Sequence, residues 1–552
     1  MCGIWALILE NKEIKIQDFN KLINNFNEIK GRGPDYTSFN TFNESTILGF
    51  HRLSIMDKSD KGSQPFYFES KDKKMALICN GEIYNYKSLR NEYDIKTISN
   101  SDCEVILPLY NKFGINKLLN LLDGVFSFLI IDFNKITNER RVIAVRDKIG
   151  VRPLFYGNDK NNNKYYFCSE IKGLSRIVDN IEVFKPGTFM ELKYNEKELL
   201  SKKITEYYKY NYEIIELNED QHIRNIREIL TNSVRKRLQS DRPLCCLLSG
   251  GLDSSLISSI TSRLLKESNI DKKLYTFSIG MEGGTDNIYA AKVAEYINSE
   301  HAIVTITKEE SLNAITDVIY ATETYDITTI RASVGQYLIS KYISEKTDYK
   351  VILSGDGSDE VASGYIYNYN APSLEDLQKE AVKRVKEIHI YDGLRADRAT
   401  SIHGLELRVP FLDSKFVDYY LSINPELRIP KKGRMEKYLL RKSFEGYLPN
   451  EILYRKKEAF SDGISSNDEN SWHNIIQRYI DERITDEEYN IQKNKYINNT
   501  PMTKEAYYYR KIFSELFGDR YNNVIKDFWL PNWCGDIKEP SARILSVYNE
   551  EE

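Results

Sequence analysis

The chain has 552 residues, far above the ~250–300 at which one hydrophobic core stops growing, so at least two domains are expected. Lys and Arg (77) nearly balance Asp and Glu (81), and the net charge of −4 excludes a field drawing the chain to nucleic acid or an anionic membrane. Seven cysteines, an odd number without CxxC spacing, exclude a disulfide framework and a structural zinc site, and point to a soluble protein of the reducing cytoplasm.

Cys2 follows Met1 directly, and the apolar run after Gly3 is too short for a signal-peptide core or a membrane span. Removal of Met1 would leave a thiol and an α-amine on one residue, and an amine of pKa ~8 serves as a nearby base. Alone, a second-position cysteine reads as an accident of sequence. Short apolar runs follow at 4–9, 47–50, 75–79, 125–132, 141–145 and 165–168, bounded by turn residues. This rhythm predicts antiparallel β structure with few helices, one of them over 102–113. The Tyr-rich, charged segment 205–220 marks a boundary. Beyond it, amphipathic stretches at 222–238 and 311–322 alternate with strand-like runs at 243–248, 274–279 and 350–353, which predicts a parallel sheet covered by helices. After 371 the pattern is mostly helical, with Met435 and Tyr507–Tyr509 read as helix packing. From 535 it has too little periodicity to promise order, and the polar run 158–164 reads as a surface loop. The six histidines form no metal-spaced cluster.

Two loops carry chemistry. Ser249, Gly250, Gly251, Leu252, Asp253, Ser254 and Ser255 follow a strand-like run and open a helix, the arrangement in which backbone N–H groups and a dipole end cradle phosphate. No Gly-Lys-Ser/Thr follows, so this is not a Walker loop. Asp253 fits an anion site only if a divalent cation such as Mg²⁺ sits between it and phosphate. A second loop, from Ser354 and Gly355 through Asp356 to Asp359 and Glu360, crowds three carboxylates at a strand end, where open α/β sheets place their ligands. Read alone, a solvated acidic turn is the lesser alternative. On a neighbouring strand it would face the first loop, with Asp253 and Asp359 sharing Mg²⁺.

Taken together, these features resemble glutamine-dependent asparagine synthetase. The likeness runs from the Met-Cys-Gly-Ile start through Arg-Gly-Pro-Asp at 32–35, Arg-Leu-Ser-Ile at 52–55, Asn-Gly-Glu-Ile-Tyr-Asn at 80–85 and Ser-Asp-Cys-Glu-Val at 101–105. It continues through the 249–255 loop and the motifs at 323–326, 330–333, 408–413, 435–437 and 457–463. The resemblance implies an N-terminal-nucleophile αββα glutaminase over 1–205, followed by an α/β ATP pyrophosphatase (adenine nucleotide alpha hydrolase-like) synthetase domain over 206–552. It implies that Cys2 attacks glutamine, that Asn80 and Gly81 form the oxyanion hole, that Arg52 takes the α-carboxylate, and that Glu82 and Asp102 take the α-ammonium. In the second domain it implies ATP contacts from Leu247, Ile279, Ser354 and Gly355, a pyrophosphate site at Ser249, Gly250, Gly251, Asp253 and Ser254, and a neutralising role for Lys457. Isolated, Arg52, Glu82, Asp102 and Lys457 would read as surface charges, and Leu247 and Ile279 as core. The implied substrates are glutamine, aspartate and ATP with Mg²⁺, the intermediate β-aspartyl-AMP, and the assembly a homodimer.

The chain departs from the family pattern in three places. Gly31 replaces a usual histidine, which bears on how the glutamine loop is held and coupled. Asp356 stands where glutamate is usual, placing its carboxylate about one methylene short. Ala362 and Ser363 follow as a third difference. A degenerate glutamine- or nucleotide-binding sensor and another ATP-dependent amide-forming enzyme of the β-lactam synthetase type are the alternatives.

Overall fold

The computed structural model describes residues 1–10, 16–159, 164–196, 198–268, 273–457, 463, 465, 470–525, 527–535 and 537–538. Most of the loop expected at 158–164, the tail expected beyond 535 and most of the motif at 457–463 lie outside the described residues.

Twelve strands build the first part: β1 Gly3–Ile8, β2 Tyr36–Asn43, β3 Thr46–Arg52, β4 Phe66–Glu69, β5 Lys73–Ile83, β6 Gly124–Asn134, β7 Arg140–Arg146, β8 Phe155–Asp159, β9 Lys164–Cys168, β10 Ile181–Val183, β11 Thr188–Tyr194 and β12 Leu199–Glu206. They form two six-stranded sheets, ordered β10-β8-β9-β1-β3-β2 and β12-β11-β7-β6-β5-β4. The period-2 alternation of strands decides the layering. Ile4, Ala6 and Ile8 of β1 meet Ala76 and Ile78 of β5 and Leu129 and Ile131 of β6 between the sheets. The opposite face of β1 presents Trp5 to Phe26 of the helix Ile16–Asn27, ring centroids 6.4 Å apart. On the far side, Leu77 and Cys79 pack against the helices Tyr86–Tyr93 and Ile106–Leu121 through Leu89, Ile106 and Leu109. The result is an αββα sandwich.

The helix expected over 102–113 is a 3₁₀ turn, Asp102–Val105, running into an α-helix, Ile106–Leu121. The first part therefore holds more helix than its sequence suggested: Ile16–Asn27 and Tyr86–Tyr93 are polar on one side and were masked by neighbouring Asn and Lys.

After the helix Glu219–Lys236, whose Asn218 and Gln221 form a capping box, a parallel five-stranded sheet follows. It comprises β13 Leu244–Leu247, β14 Tyr275–Gly280, β15 Glu300–Thr305, β16 Val351–Leu353 and β17 Glu406–Arg408, in the order β15-β14-β13-β16-β17. β13 and β16 are direct neighbours, Cys246 opposite Leu353, so the two acidic-glycine loops emerge side by side. β17 was not legible: three residues inside a helical stretch give no periodicity. Met435 lies in the turn before the helix Tyr438–Ser443 and not in a helix, whereas Tyr507 and Tyr509 are buried on the helix Lys504–Phe517. All seven cysteines are free thiols, and among the described residues no helix is long and apolar enough to cross a membrane.

Candidate functional site

The first site lies at the ends of β1, β3 and β5. The Cys2 thiol is 3.7 Å from the Leu53 carbonyl, and the Cys2 carbonyl accepts from Arg32 Nε at 2.9 Å. Burial pushes the thiol up to about 11, against the pull of the nearby terminal ammonium. That ammonium belongs to Met1, which is buried and donates to the carbonyl of Leu405 at 3.4 Å. Burial lowers this amine to about 6. With Met1 attached, the nitrogen of Cys2 is an amide and has no basicity to offer the thiol.

Asn80 continues the face of β5 that looks between the sheets. It is 1% exposed, and neither its amide oxygen nor its amide nitrogen has a hydrogen-bond partner. Leaving such a group unsatisfied costs ~1–3 kcal/mol. A side chain at Gly81 would collide with the Val125 carbonyl. Asp102 accepts the Ile83 N–H at 2.6 Å and is raised to about 6, by burial first and then by Glu406. Glu82 pairs with Arg408 at 3.2 Å, and burial together with Glu406 and Asp102 pushes its carboxyl well above the usual range. The Arg52 guanidinium donates to the Ser59 carbonyl at 2.7 Å, to Ser63 Oγ at 3.1 Å and to the Asp57 carbonyl, so both terminal nitrogens hold the 57–63 loop.

Between the sites runs a buried ion network. Arg32 grips both oxygens of Asp397 at 2.7 and 3.1 Å and reaches Glu170 at 2.5 Å and Ser401 Oγ at 2.9 Å. Arg398 lies 3.0 Å from both Glu170 and Glu323, and Lys172 is 2.6 Å from Glu170. Burial disfavours the charge on Glu170, but Lys172, Arg398 and Arg32 outweigh it and hold the carboxyl far below its ordinary value. Any side chain at Gly31 would press on the Ile402 carbonyl, so glycine here lets the two parts close tightly. The departure at 31 thus belongs to the interface.

The second site is a cavity of about 270 Å³ beyond the carboxyl ends of β13, β14 and β16. Leu247, Ser249, Gly251, Asp253, Ser254, Ile279, Ser354, Gly355, Asp356, Asp359 and Lys457 all line it. Gly250 does not. It turns the loop at φ +76° against the backbone of Ala290, a role that excludes a Cβ. Gly355 lets the two loops touch backbone to backbone: a Cβ there would sit 2.6 Å from the nitrogen of Ser254. Asp356 accepts from Arg395 at 2.8 Å and from Ser354 Oγ. Lys457 reaches Asp359 at 2.5 Å. Burial opposes the charge on Asp359, but Lys437 and Lys457 outweigh it and hold the carboxyl far below its ordinary range.

Sequence reasoning gave no role to several residues at this cavity. Lys437 bridges Asp253 and Asp359, although its motif was among those carrying the resemblance. Glu360, Tyr365, Asp392 and Arg395 also line the cavity, Tyr365 donating to Glu360 at 2.8 Å. Asp392 and Arg395 stand three apart on the helix Asp392–Ser401, 2.8 Å from each other. The only local signal was that i,i+3 charge pair, which any solvated helix also shows. The same helix carries Asp397, Arg398 and Ser401 to the ion network beside Cys2.

A glutamine amidotransferase domain model matches residues 1–223, and an asparagine synthase model matches residues 225–383 and 369–534. The chain is 44% identical over 572 aligned positions to the glutamine-hydrolysing asparagine synthetase of Gallus gallus, covering 99% of each. It is 43% identical to that of Mus musculus and 42% to that of Homo sapiens, again with 99% of each chain covered. The chain belongs to the glutamine-hydrolysing asparagine synthetase family.

Proposed function

We propose that this chain makes L-asparagine from L-aspartate, ATP and the amide nitrogen of L-glutamine, through β-aspartyl-AMP, releasing AMP, pyrophosphate and glutamate. Residues 1–205 serve as the glutaminase and 206–552 as the synthetase. After loss of Met1, the freed amine of Cys2 takes the thiol proton and the sulfur attacks the glutamine amide. Asn80, unpartnered and buried, and the N–H of Gly81 receive the developing oxyanion, where one donor is typically worth ~2.7–4 kcal/mol. Glu82 and Asp102 hold the α-ammonium, their raised carboxyl pKa values falling as that cation arrives. Arg52, which also holds the 57–63 loop, pairs with the α-carboxylate.

In the cavity, Leu247 and Ile279 flank the adenine, and Ser249, Gly251, Ser254, Ser354 and Gly355 approach the phosphates. Gly250 keeps the loop turned. Asp253 and Asp359, two hard carboxylates brought to one cation from adjacent loops, fit Mg²⁺. Bound there, Mg²⁺ would neutralise the charge that collects on the departing pyrophosphate. Lys457 adds positive charge on the same side. Asp356, fixed by Arg395, faces the cavity where ammonia displaces AMP and is positioned to orient it or take its proton. The free thiols fit a cytoplasmic enzyme, and the homodimer implied by the resemblance is read from its mass in solution.

The observation that carries this reading is one helix, Asp392–Ser401, that brings Arg395 to the cavity and Asp397 to Arg32, which holds the Cys2 carbonyl. The test supplies MgATP, aspartate and either glutamine or ammonium to purified protein. Asparagine, AMP and pyrophosphate are expected from both nitrogen sources. Cys2→Ala is expected to lose the glutamine-dependent reaction and keep most of the ammonium-dependent one. Equal loss of both would overturn the two-site scheme, as would retention of Met1 in the mass of active protein.

A further inference from the structure

Lys437 sits where the metal reading places a cation. Its ammonium is 2.8 and 2.7 Å from the two oxygens of Asp253 and 2.6 Å from Asp359 Oδ1. An ammonium has three protons and no acceptor; here it donates to both oxygens of Asp253, and its approach to Asp359 Oδ1 is an ion pair. With Lys457 on the other oxygen of Asp359, two acids face two bases, and the cluster is neutral as it stands.

The lysine is also held in place. It is 2% exposed and takes the left-handed backbone conformation, φ +58°, at the turn before the helix Tyr438–Ser443. The bare backbone of Gly364 lies against its stem, where any Cβ would strike Lys437 Cε and Asp359. A non-glycine residue keeps such a conformation only where its surroundings over-determine it.

A magnesium ion cannot share this position. It requires oxygens at about 2.0–2.1 Å, whereas the ammonium holds them at 2.6–2.8 Å, and two cations at one point repel. Among the described residues no group of three or more metal-ligating side chains occurs, so a metal here must draw its other ligands from phosphate and water. Incoming phosphate oxygens are able to draw the ammonium off the two carboxylates.

We infer that Lys437 occupies the divalent-cation position of the nucleotide-free enzyme, so that the metal enters only together with a nucleoside triphosphate, whose phosphates take over the lysine. The inference rests on the assignment of Asp253 and Asp359 to the metal and adds an order of events to it. Lys437 is in this sense a positioning residue.

The test titrates Mn²⁺ into the full chain with and without ATP under equilibrium dialysis, so that only ion retained with the protein, and not Mn²⁺–ATP in solution, is counted by its electron paramagnetic resonance signal. Wild type is expected to bind Mn²⁺ about tenfold or more tightly with ATP than without. Lys437→Met, which keeps the stem and removes the charge, is expected to gain about tenfold or more in affinity for Mn²⁺ alone. A lysine with a merely structural role would not, on removal, create metal binding. Lys437→Gln repeats the measurement if the methionine variant does not fold. Wild type binding Mn²⁺ equally with and without ATP overturns the inference whatever the variants do. ATP-dependent binding in wild type with no gain in the folded variants overturns the role of Lys437 and leaves the metal site standing. No Mn²⁺ binding under any condition removes the metal site, and the inference with it.

Discussion

Asp356 has both carboxylate oxygens engaged, one by Arg395 and one by Ser354, and Arg395 is itself tied to Gln336 at 3.1 Å and Asp392 at 2.8 Å. A glutamate there has to displace this arginine or lose both partners, the cost of overpacking a fitted site. Nearby Ala362 is buried, and Ser363 adopts φ +53°, where glycine would be at ease. Asp356→Glu is therefore expected to slow amide formation by about 10²-fold while pyrophosphate release changes much less; measuring the two separately checks this, and a gain in amide formation would refute it. Asp102 gives a pH signature. Its carboxyl, raised to about 6 by burial, is neutral below that pH and ionised above it. The attraction for the glutamine ammonium is thus present above about pH 6 and lost as pH falls through it. The KM for glutamine is expected to rise by up to about tenfold per pH unit below 6, and a flat KM from pH 5 to pH 8 would exclude Asp102 from glutamine binding. At this scale the sequence named candidate side chains, but not their partners. The bridge made by Lys437 depends on residues far away in the chain, whereas the partners of Arg52, at Asp57, Ser59 and Ser63, lie close by and gave no periodic signal.

The elements that were legible are those whose pattern is local. The short apolar runs of β1 and β5, and the strand-glycine-helix signal at Leu247–Leu252, follow from local pattern and turn chemistry alone. β17 was hidden because its neighbour β16 lies more than fifty residues earlier in the chain and supplies the pairing that makes three residues a strand. The helix Asp392–Ser401 was legible as a helix and illegible as a connection. One side carries Arg395 to Asp356, and two residues on Asp397 meets Arg32, which holds the Cys2 carbonyl. Asp397→Asn leaves Arg32 buried beside one carboxylate fewer, and breaking a buried pair typically costs ~3–5 kcal/mol. The variant is expected to melt earlier and to release more glutamate per asparagine formed. An unchanged melting curve, or an unchanged product ratio in folded protein, would show that this helix does not tie the sites together.

For the molecule as a whole, the two-part organisation was visible because the pattern itself changes near residue 205, from antiparallel alternation to strand-helix alternation. The way the parts fit was not, since an interface between elements distant in sequence leaves no periodic trace. That interface is sealed by charges and not by apolar surface alone. Arg32, Glu170 and Lys172 come from the first part, and Glu323, Asp397 and Arg398 from the second, all of them nearly inaccessible to water. Each such charge is tolerable only opposite its own counterpart, since a buried ion facing a mismatched surface costs several kcal/mol. The halves are consequently not interchangeable parts. A glutaminase borrowed from another amidotransferase would bring its own catalytic cysteine and still fail to seat, unless these interface charges travelled with it. Recombination between related genes would therefore preserve this pairing as a unit, and the lineage of one half is bound to the lineage of the other.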